Sequence, residues 1–277
     1  MIRVFGWVGK ETLTGDNVDE DCEQTCFNRD DCFLAFYNEQ DYCMLPDFNG
    51  TQLLNVVETT LNDGQYVSFK TTLPDDICPS NYSNSIVVNI GEDPIFWVNK
   101  LTTKILDYQT QTRWEFKKCV GDWKMFKRSN EDGEITVCIQ VFPLSVATSK
   151  ADAVQFCKDL NYTVTGVATP EETQWIYNKM KPFVEDGEGF WIDGSRACSI
   201  MSANGPPQLS NCPNIGWTDG YTEGNAAFTA GNVQRSNPAM TNCLMVADGI
   251  LKDVACDVDD PAVGHGVVCG YKMEETY

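Results

Sequence analysis

Few residues of this chain are of a type and spacing to do chemistry. A Ser-His-Asp or Cys-His arrangement needs an imidazole, and His265 is the one histidine among 277 residues. It lies in Ala-Val-Gly-His-Gly-Val-Val-Cys, a stretch of surface-turn or strand-edge type. Paired carboxylates can run glycoside hydrolysis, but among 40 acidic residues the proximity of two in sequence is uninformative. No glycine-rich phosphate motif precedes a credible helix. The sequence offers no catalytic candidate, and an enzyme is not expected.

Cysteine is the strongest signal. Thirteen stand at positions 22, 26, 32, 43, 78, 119, 138, 157, 198, 212, 243, 256 and 269. None forms a Cys-x-x-Cys pair, and a lone histidine removes most zinc arrangements. Disulfides made in an oxidising compartment fit better, as do the Asn-x-Ser/Thr glycosylation sequons at Asn49, Asn81 and Asn161. A secreted, extracellular glycoprotein is expected, although the N-terminal Met-Ile-Arg-Val-Phe-Gly-Trp shows no apolar core of signal-peptide length. No window reaches membrane-spanning length. The spacing of Cys243 and Cys256 suggests a small disulfide-closed hairpin or loop, with Lys252 and Asp253 side by side near its tip. That pair reads either as a metal position, altered or rebuilt, or as solvated surface.

The composition is globular, with 42% hydrophobic and 11% aromatic residues, and the length suits one large domain or two ordinary ones. A net charge of −20, with no basic run, argues against nucleic acid or an anionic membrane surface as the main partner.

The elements that must position these residues fall into two groups. Cys22 and Cys26 are four apart, so a helix puts both on one face, with Asp19 as its expected N-cap. After Cys32, Phe-Leu-Ala-Phe-Tyr is of strand type. A helix stapled to a strand pair by Cys22–Cys43 and Cys26–Cys32 is the economical arrangement. Together with Val4-Phe5-Gly6-Trp7, Asn17-Val18, Leu34-Ala35-Phe36-Tyr37-Asn38 and Tyr66-Val67-Ser68-Phe69, this stretch resembles a PAN (apple-like) module over residues 1–72. The resemblance implies binding of proteins or sugars without catalysis, and it carries over no individual site residue.

Leu-Pro-Asp-Asp-Ile-Cys-Pro, with prolines bracketing Cys78, marks a boundary. Residues 73–118 then carry strand-type runs and Phe96, Trp97, Tyr108 and Trp114, too many aromatics for a passive linker. A connecting β segment packed on the second module is expected.

In the second half, Ser149 can cap a helix with Ala153, Val154, Cys157 and Leu160 on one apolar face. A second helix opens at Thr169-Pro170-Glu171-Glu172, with Thr169 as N-cap, proline at the first position and Glu172 completing a capping box. Trp175, Ile176 and Met180 supply its buried side. Two helices followed by an irregular, loop-heavy β region form an α+β plan.

That order of features resembles the C-type lectin domain over residues 119–277. The residues that carry it are Cys119 through Trp123 to Cys138, the helix ending in Cys157, Phe190-Trp191-Ile192-Asp193-Gly194, Trp217-Thr218-Asp219-Gly220, Cys243, Cys256 and Cys269. The resemblance implies two helices, small antiparallel sheets and long disulfide-braced loops. It also implies bridges Cys157–Cys269 and Cys243–Cys256, with Cys119–Cys138 and Cys198–Cys212 as additional braces. Cys78 is left over: free, linking two chains into a disulfide-bonded dimer, or paired with Cys119 so that Cys138 is odd.

Sugar-binding members of that family hold calcium with oxygens from Glu-Pro-Asn or Gln-Pro-Asp in a long loop and from Trp-Asn-Asp before a loop cysteine. Here the first motif maps onto Gln234-Arg235-Ser236, with Asn237-Pro238 close by, and the second onto Leu251-Lys252-Asp253. An ammonium about 4 Å from a divalent cation is repelled by roughly 8 kcal/mol at an effective dielectric near 20, an upper bound because the lysine stem can swing away. The family-type calcium site is therefore not expected, and neither is any other cofactor. Arg235 and Lys252 are then either a solvated loop or a calcium-independent patch for an anionic or protein ligand, with Lys252 paired to Asp253 or to a loop carboxylate. The candidate ligand-binding residues are Gln234, Arg235, Ser236, Asn237, Lys252 and Asp253, while Trp217 and Tyr221 are rings that could stack on a sugar. The expected protein is a secreted recognition protein for a glycan or glycoprotein, with a role in innate defence implied by the resemblance. The alternative is an extracellular protein-interaction or structural protein without sugar binding.

Overall fold

The computed structural model describes residues 1–9, 15–19, 21–29, 32–38, 42–46, 54–70, 97–105, 109–130, 133–196, 216–229, 231–234, 242–256 and 264–273. Asn49, Cys78, Asn81, Cys198, Cys212, Arg235, Ser236 and Asn237 lie outside the described residues. The chain divides into two compact units, Met1–Met125 and Phe126–Tyr277.

The first unit is built from β1 (Ile2–Val8), β2 (Gly15–Asn17), α1 (Cys22–Asn28), β3 (Leu34–Asn38), β4 (Cys43–Pro46), β5 (Leu54–Glu58), β6 (Gln65–Phe69), β7 (Trp97–Ile105) and β8 (Gln109–Lys117). Its strands form one sheet in the order β2-β4-β3-β6-β1-β5-β8-β7. Side chains alternate along β1, so Ile2, Val4 and Val8 are buried while Arg3 and Trp7 face out. β1 pairs with β6 through Ile2–Phe5 and with β5 through Gly6–Val8, which makes it the hinge strand of the sheet.

Asp21, not Asp19, caps α1. The helix begins at Cys22, and the Asp21 carboxylate accepts the Gln24 N–H at 3.1 Å. Cys22 and Cys26 face inward and are bridged to Cys43 and Cys32. Glu23, on the same helix, accepts from Arg3 Nε and Nη2 at 2.8 and 2.9 Å, from the Tyr37 hydroxyl at 2.6 Å and from the Ser68 hydroxyl. These donors, Arg3 foremost, hold its carboxyl down at about 2.

The β segment after residue 72 does not pack as the sequence suggests. β8 pairs antiparallel with β5, from Leu54↔Phe116 to Val57↔Arg113, and β7 pairs with β8. Trp114 is buried in the first unit's core, edge-on to Phe69. The physical reason is the free hydrogen-bonding edge of β5, whose Leu54 and Val56 also need cover.

The second unit's sheet contains β9 (Lys124–Asn130), β10 (Gly133–Pro143), β11 (Thr163–Val164), β12 (Gly189–Arg196), β13 (Val233–Gln234), β14 (Asn242–Ala247), β15 (Ile250–Ala255) and β16 (Gly264–Lys272). Their order is β13-β15-β14-β12-β16-β10-β9, with β11 also on β16. The helices α2 (Lys150–Asp159) and α3 (Pro170–Met180) complete an α+β unit.

Ser149 caps α2 by accepting the Asp152 N–H at 3.1 Å. Ala153 and Cys157 turn inward, and Cys157 is bridged to Cys269 of β16. Leu160, expected on that face, is the C-cap and stands 40% exposed. Thr169 caps α3, with Pro170 first and Ile176 and Met180 in the core. The Glu172 carboxylate does not complete the reciprocal cap. It reaches one residue further back, to the Ala168 N–H at 2.8 Å, because Arg128 holds it there.

Candidate functional site

β14 and β15 are joined by Asp248 and Gly249, whose φ values of 51° and 77° are both left-handed. An Asp-Gly pair suits such a tight hairpin turn because glycine and aspartate tolerate that backbone. Across the hairpin, Met245 is opposite Lys252 and Leu244 opposite Asp253. Alternation along β15 puts Leu251 and Asp253 on one face, both buried, and Lys252 on the other. Lys252 and Asp253 are therefore neighbours in sequence that point away from one another.

Of the two partners open to Lys252, Asp253 or a loop carboxylate, it takes the second, Asp248 of the turn. Its Nζ donates to Asp248 Oδ2, and Asp248 Oδ1 accepts the Gly187 N–H at 3.1 Å. Lys252 first, then Gly187, hold the Asp248 carboxyl below the usual carboxylate range. The ammonium is mostly covered, with 18% of the side chain exposed. The Cys243–Cys256 bridge closes the far end of the hairpin.

β13 runs parallel to β15, so the Gln234 backbone lies beside Lys252. Asn232 anchors the approach: its Nδ2 donates to the Ala227 carbonyl and to Thr173 Oγ1, and its own carbonyl accepts the Leu251 N–H. The structure thus brings together Gln234 and Lys252, places Asp253 on the opposite face, and does not describe Arg235 to Asn237.

Calcium asks for six to eight hard oxygens. Residues 251 to 253 supply a buried leucine, an ammonium already satisfied by a carboxylate, and an aspartate aimed the other way. These residues do not fit the ion.

Beside the hairpin, β12 carries Phe190, Trp191 and Ile192 into the core and is interrupted by a bulge between Trp191 and Ser195. Asp193, at that bulge, organises the loop after residue 216. It accepts from the Thr218 N–H and hydroxyl and from the Asp219 N–H. Asp219 in turn accepts from the N–H groups of Gly166, Tyr221 and Thr222.

The Trp217 ring packs over Gly166 and Gly194, where a Cβ would lie 2.6 and 2.8 Å from it, and stacks on Phe228. Its Nε1 donates to the Gly224 carbonyl. Tyr221 is 6% exposed. Tyr221 is thus closed to a sugar, while Trp217, half-buried, has much of its ring against the two glycines and Phe228. His265 Nε2 lies 3.0 Å from Glu188 Oε1, and both side chains are half-buried.

Sequence reasoning missed Asp248, Arg128 and Lys150. For Asp248 a signal existed, since Asp-Gly between two apolar runs is a hairpin mark. Arg128 and Lys150 gave none: each finds its partner more than forty residues away, in Glu172 and in the Ile192 carbonyl.

Residues 1–71 match the family profile of the PAN-like domain, and they form a PAN-like module. Among solved structures, the carbohydrate-recognition domain of the mouse scavenger receptor C-type lectin is similar to this chain at 17% identity. The similarity covers 56% of this chain and 99% of that one, with a TM-score of 0.31. No curated protein matches the chain.

Proposed function

We propose that this is an extracellular, non-enzymatic recognition protein, in which a PAN-like module precedes a C-type lectin-like unit that binds a carbohydrate or glycoconjugate without calcium. The observation that carries the reading is the Lys252–Asp248 pair. It fills with an ammonium the position where the lectin resemblance calls for a calcium-ligating amide. The candidate ligand residues are Lys252 and Gln234, whose backbones lie side by side on β15 and β13, together with Arg235, Ser236 and Asn237, which the sequence alone nominates. Described disulfides in both units support an oxidising compartment.

A glycan array probed in calcium and again in chelator tests this reading. Equal binding in both conditions, weakened by Lys252→Ala, is expected. Binding abolished by chelator would overturn the calcium-independent part.

One observation favours a protein ligand instead. Tyr221 is buried and Trp217 is packed over glycines, so the two rings suited to stack on a sugar are engaged internally. Silence on every glycan, together with capture of an extracellular protein through the same face, would select that reading.

A further inference from the structure

We infer that Asn161 carries an N-linked glycan, added before the second unit closes its Cys157–Cys269 bridge. The inference rests on the extracellular reading above. Residues 161–163, Asn-Tyr-Thr, form an acceptor sequence, and the structure gives its two essential side chains opposite roles.

Asn161 ends α2. Its N–H bonds to the Lys158 carbonyl and the Tyr162 N–H to the Cys157 carbonyl, each at 2.9 Å, the bond pair of a Schellman turn. Asn161 therefore sits at the left-handed position, with φ 62°. Glycine is the favoured residue there because it has no Cβ to strain. Asn161 is exposed, and its side-chain amide makes no hydrogen bond among the described residues. Backbone geometry accounts for asparagine at this left-handed position, and the turn leaves its amide in solvent, open to a transferase.

Thr163 is exposed as a residue, but its hydroxyl is hydrogen-bonded within the fold. Its hydroxyl lies 3.0 Å from the Tyr221 hydroxyl and donates to the Gly270 carbonyl at 3.2 Å. Thr163 and Val164 pair with Gly270 and Cys269 of β16. The acceptor rule requires serine or threonine at this place, so the transferase reads the hydroxyl. In the folded unit that hydroxyl is already in use. Transfer must precede the docking of β11 on β16, and so precede closure of Cys157 onto Cys269.

The step itself is a substitution at an anomeric carbon. Asn161 Nδ2 forms a bond to C1 of the sugar of a lipid-pyrophosphate-linked oligosaccharide. The bond from C1 to the pyrophosphate oxygen breaks, the lipid pyrophosphate leaves with the electron pair, and Nδ2 gives up one proton.

The site also leaves the ligand face open. Gly264 of β16 is level with Gly189, which faces Ala247 beside the hairpin turn. Gly270 lies six residues further along β16, about 20 Å at the usual strand rise. A glycan at Asn161 projects from the end of the sheet away from Asp248.

Two experiments test the inference on the full chain. In the first, the chain is sent through a eukaryotic secretory pathway behind a cleavable leader, and the peptide containing Asn161 is weighed before and after enzymatic deglycosylation. A glycan mass that disappears in Asn161→Gln is expected. A secreted, disulfide-bonded chain bare at Asn161 overturns the site while leaving the extracellular reading intact, whereas a chain retained with free thiols counts against that reading.

In the second, bacterially made chain, either oxidised and folded or reduced and unfolded, is offered to microsomes containing the transferase and its lipid-linked donor. Modification of Asn161 in the reduced chain alone is expected. Modification of the folded chain overturns the order of events, and failure of the reduced chain overturns the site.

Discussion

Arg128 and Glu172 meet as two parallel hydrogen bonds, Nε to Oε1 and Nη2 to Oε2, each 2.8 Å long, with both side chains almost wholly buried. Arg128 also donates to Thr222 Oγ1 and the Gly166 carbonyl. One guanidinium therefore ties β9 to the start of α3 and to the loop that Asp219 organises. Removing one partner leaves the other charge buried and unpaired, which costs about 3–5 kcal/mol. Glu172→Gln should lower the stability of the second unit by that order in urea unfolding. The double change Arg128→Met with Glu172→Leu should cost less than the sum of its single changes. Additive losses would show that the two residues act separately.

The Lys252–Asp248 pair predicts indifference to calcium. A ligand present at a hundred times its Kd would stabilise the fold by about 2.7 kcal/mol. The thermal midpoint should be the same in millimolar calcium and in chelator. Lys252→Asn should cost about 1 kcal/mol or less, as partly exposed ion pairs do. It should create no calcium response, because Leu251 and Asp253 still face the core.

Lys150 opens α2 with its Nζ donating to the Ile192 carbonyl. Burial pushes its pKa down to about 8 from 10.5, and the nearby Asp193 offsets part of that fall. Between those two values the unfolded chain keeps a proton that the folded chain has lost, so this residue makes stability rise with pH across that window. Below pH 8 both states are charged and the burial cost is felt in full. Lys150→Met should therefore stabilise the unit most at pH 7, with the gain shrinking towards pH 10.5. Thermal melts of the two proteins at pH 7, 9 and 10.5 check this, and a constant difference would refute it. Tyr221, raised by burial to about 12 from 10.0, makes stability fall with pH between those values in both proteins.

In the first unit the acid side is set by Glu23. Its carboxyl is lowered from 4.5 to about 2, chiefly by the Arg3 hydrogen bonds. The contribution is fully present above pH 4.5 and is lost as pH falls towards 2, where the folded carboxylate takes up its proton. Glu23→Gln should be less stable than the parent at pH 6 and converge on it near pH 2. Circular dichroism melts along that series read the difference.

Much of the fold could be read locally. Ser149 and Thr169 cap helices through bonds that span three residues, and the spacing of Cys22 from Cys26 reports a helix face directly. What sequence hid was pairing at a distance. The glutamate three residues after Thr169 has the pattern of a reciprocal cap, yet its partner is an arginine forty-four positions earlier. For Lys252 the sequence leaves Asp253 and a loop carboxylate equally open, because adjacency in sequence does not show that alternation along β15 turns the two residues to opposite faces. By sequence the segment carrying Trp114 is expected on the second module, yet it lies in the first unit's core, since aromatic content shows that a segment is buried without showing where.

The placement of β8 bears on how this protein is cut into parts. Residues 1–71 match the PAN-like profile, but β5 owes its second hydrogen-bonded neighbour to residues beyond 108. A fragment ending at residue 71 would expose the β5 edge and uncover the core around Leu54, Val56 and Phe69. Open strand edges with apolar side chains recruit strands from other molecules. Such a fragment should self-associate more readily than one ending near residue 125, which keeps β8 on the β5 edge, so the compact N-terminal unit is nearly twice the length that similarity alone delimits.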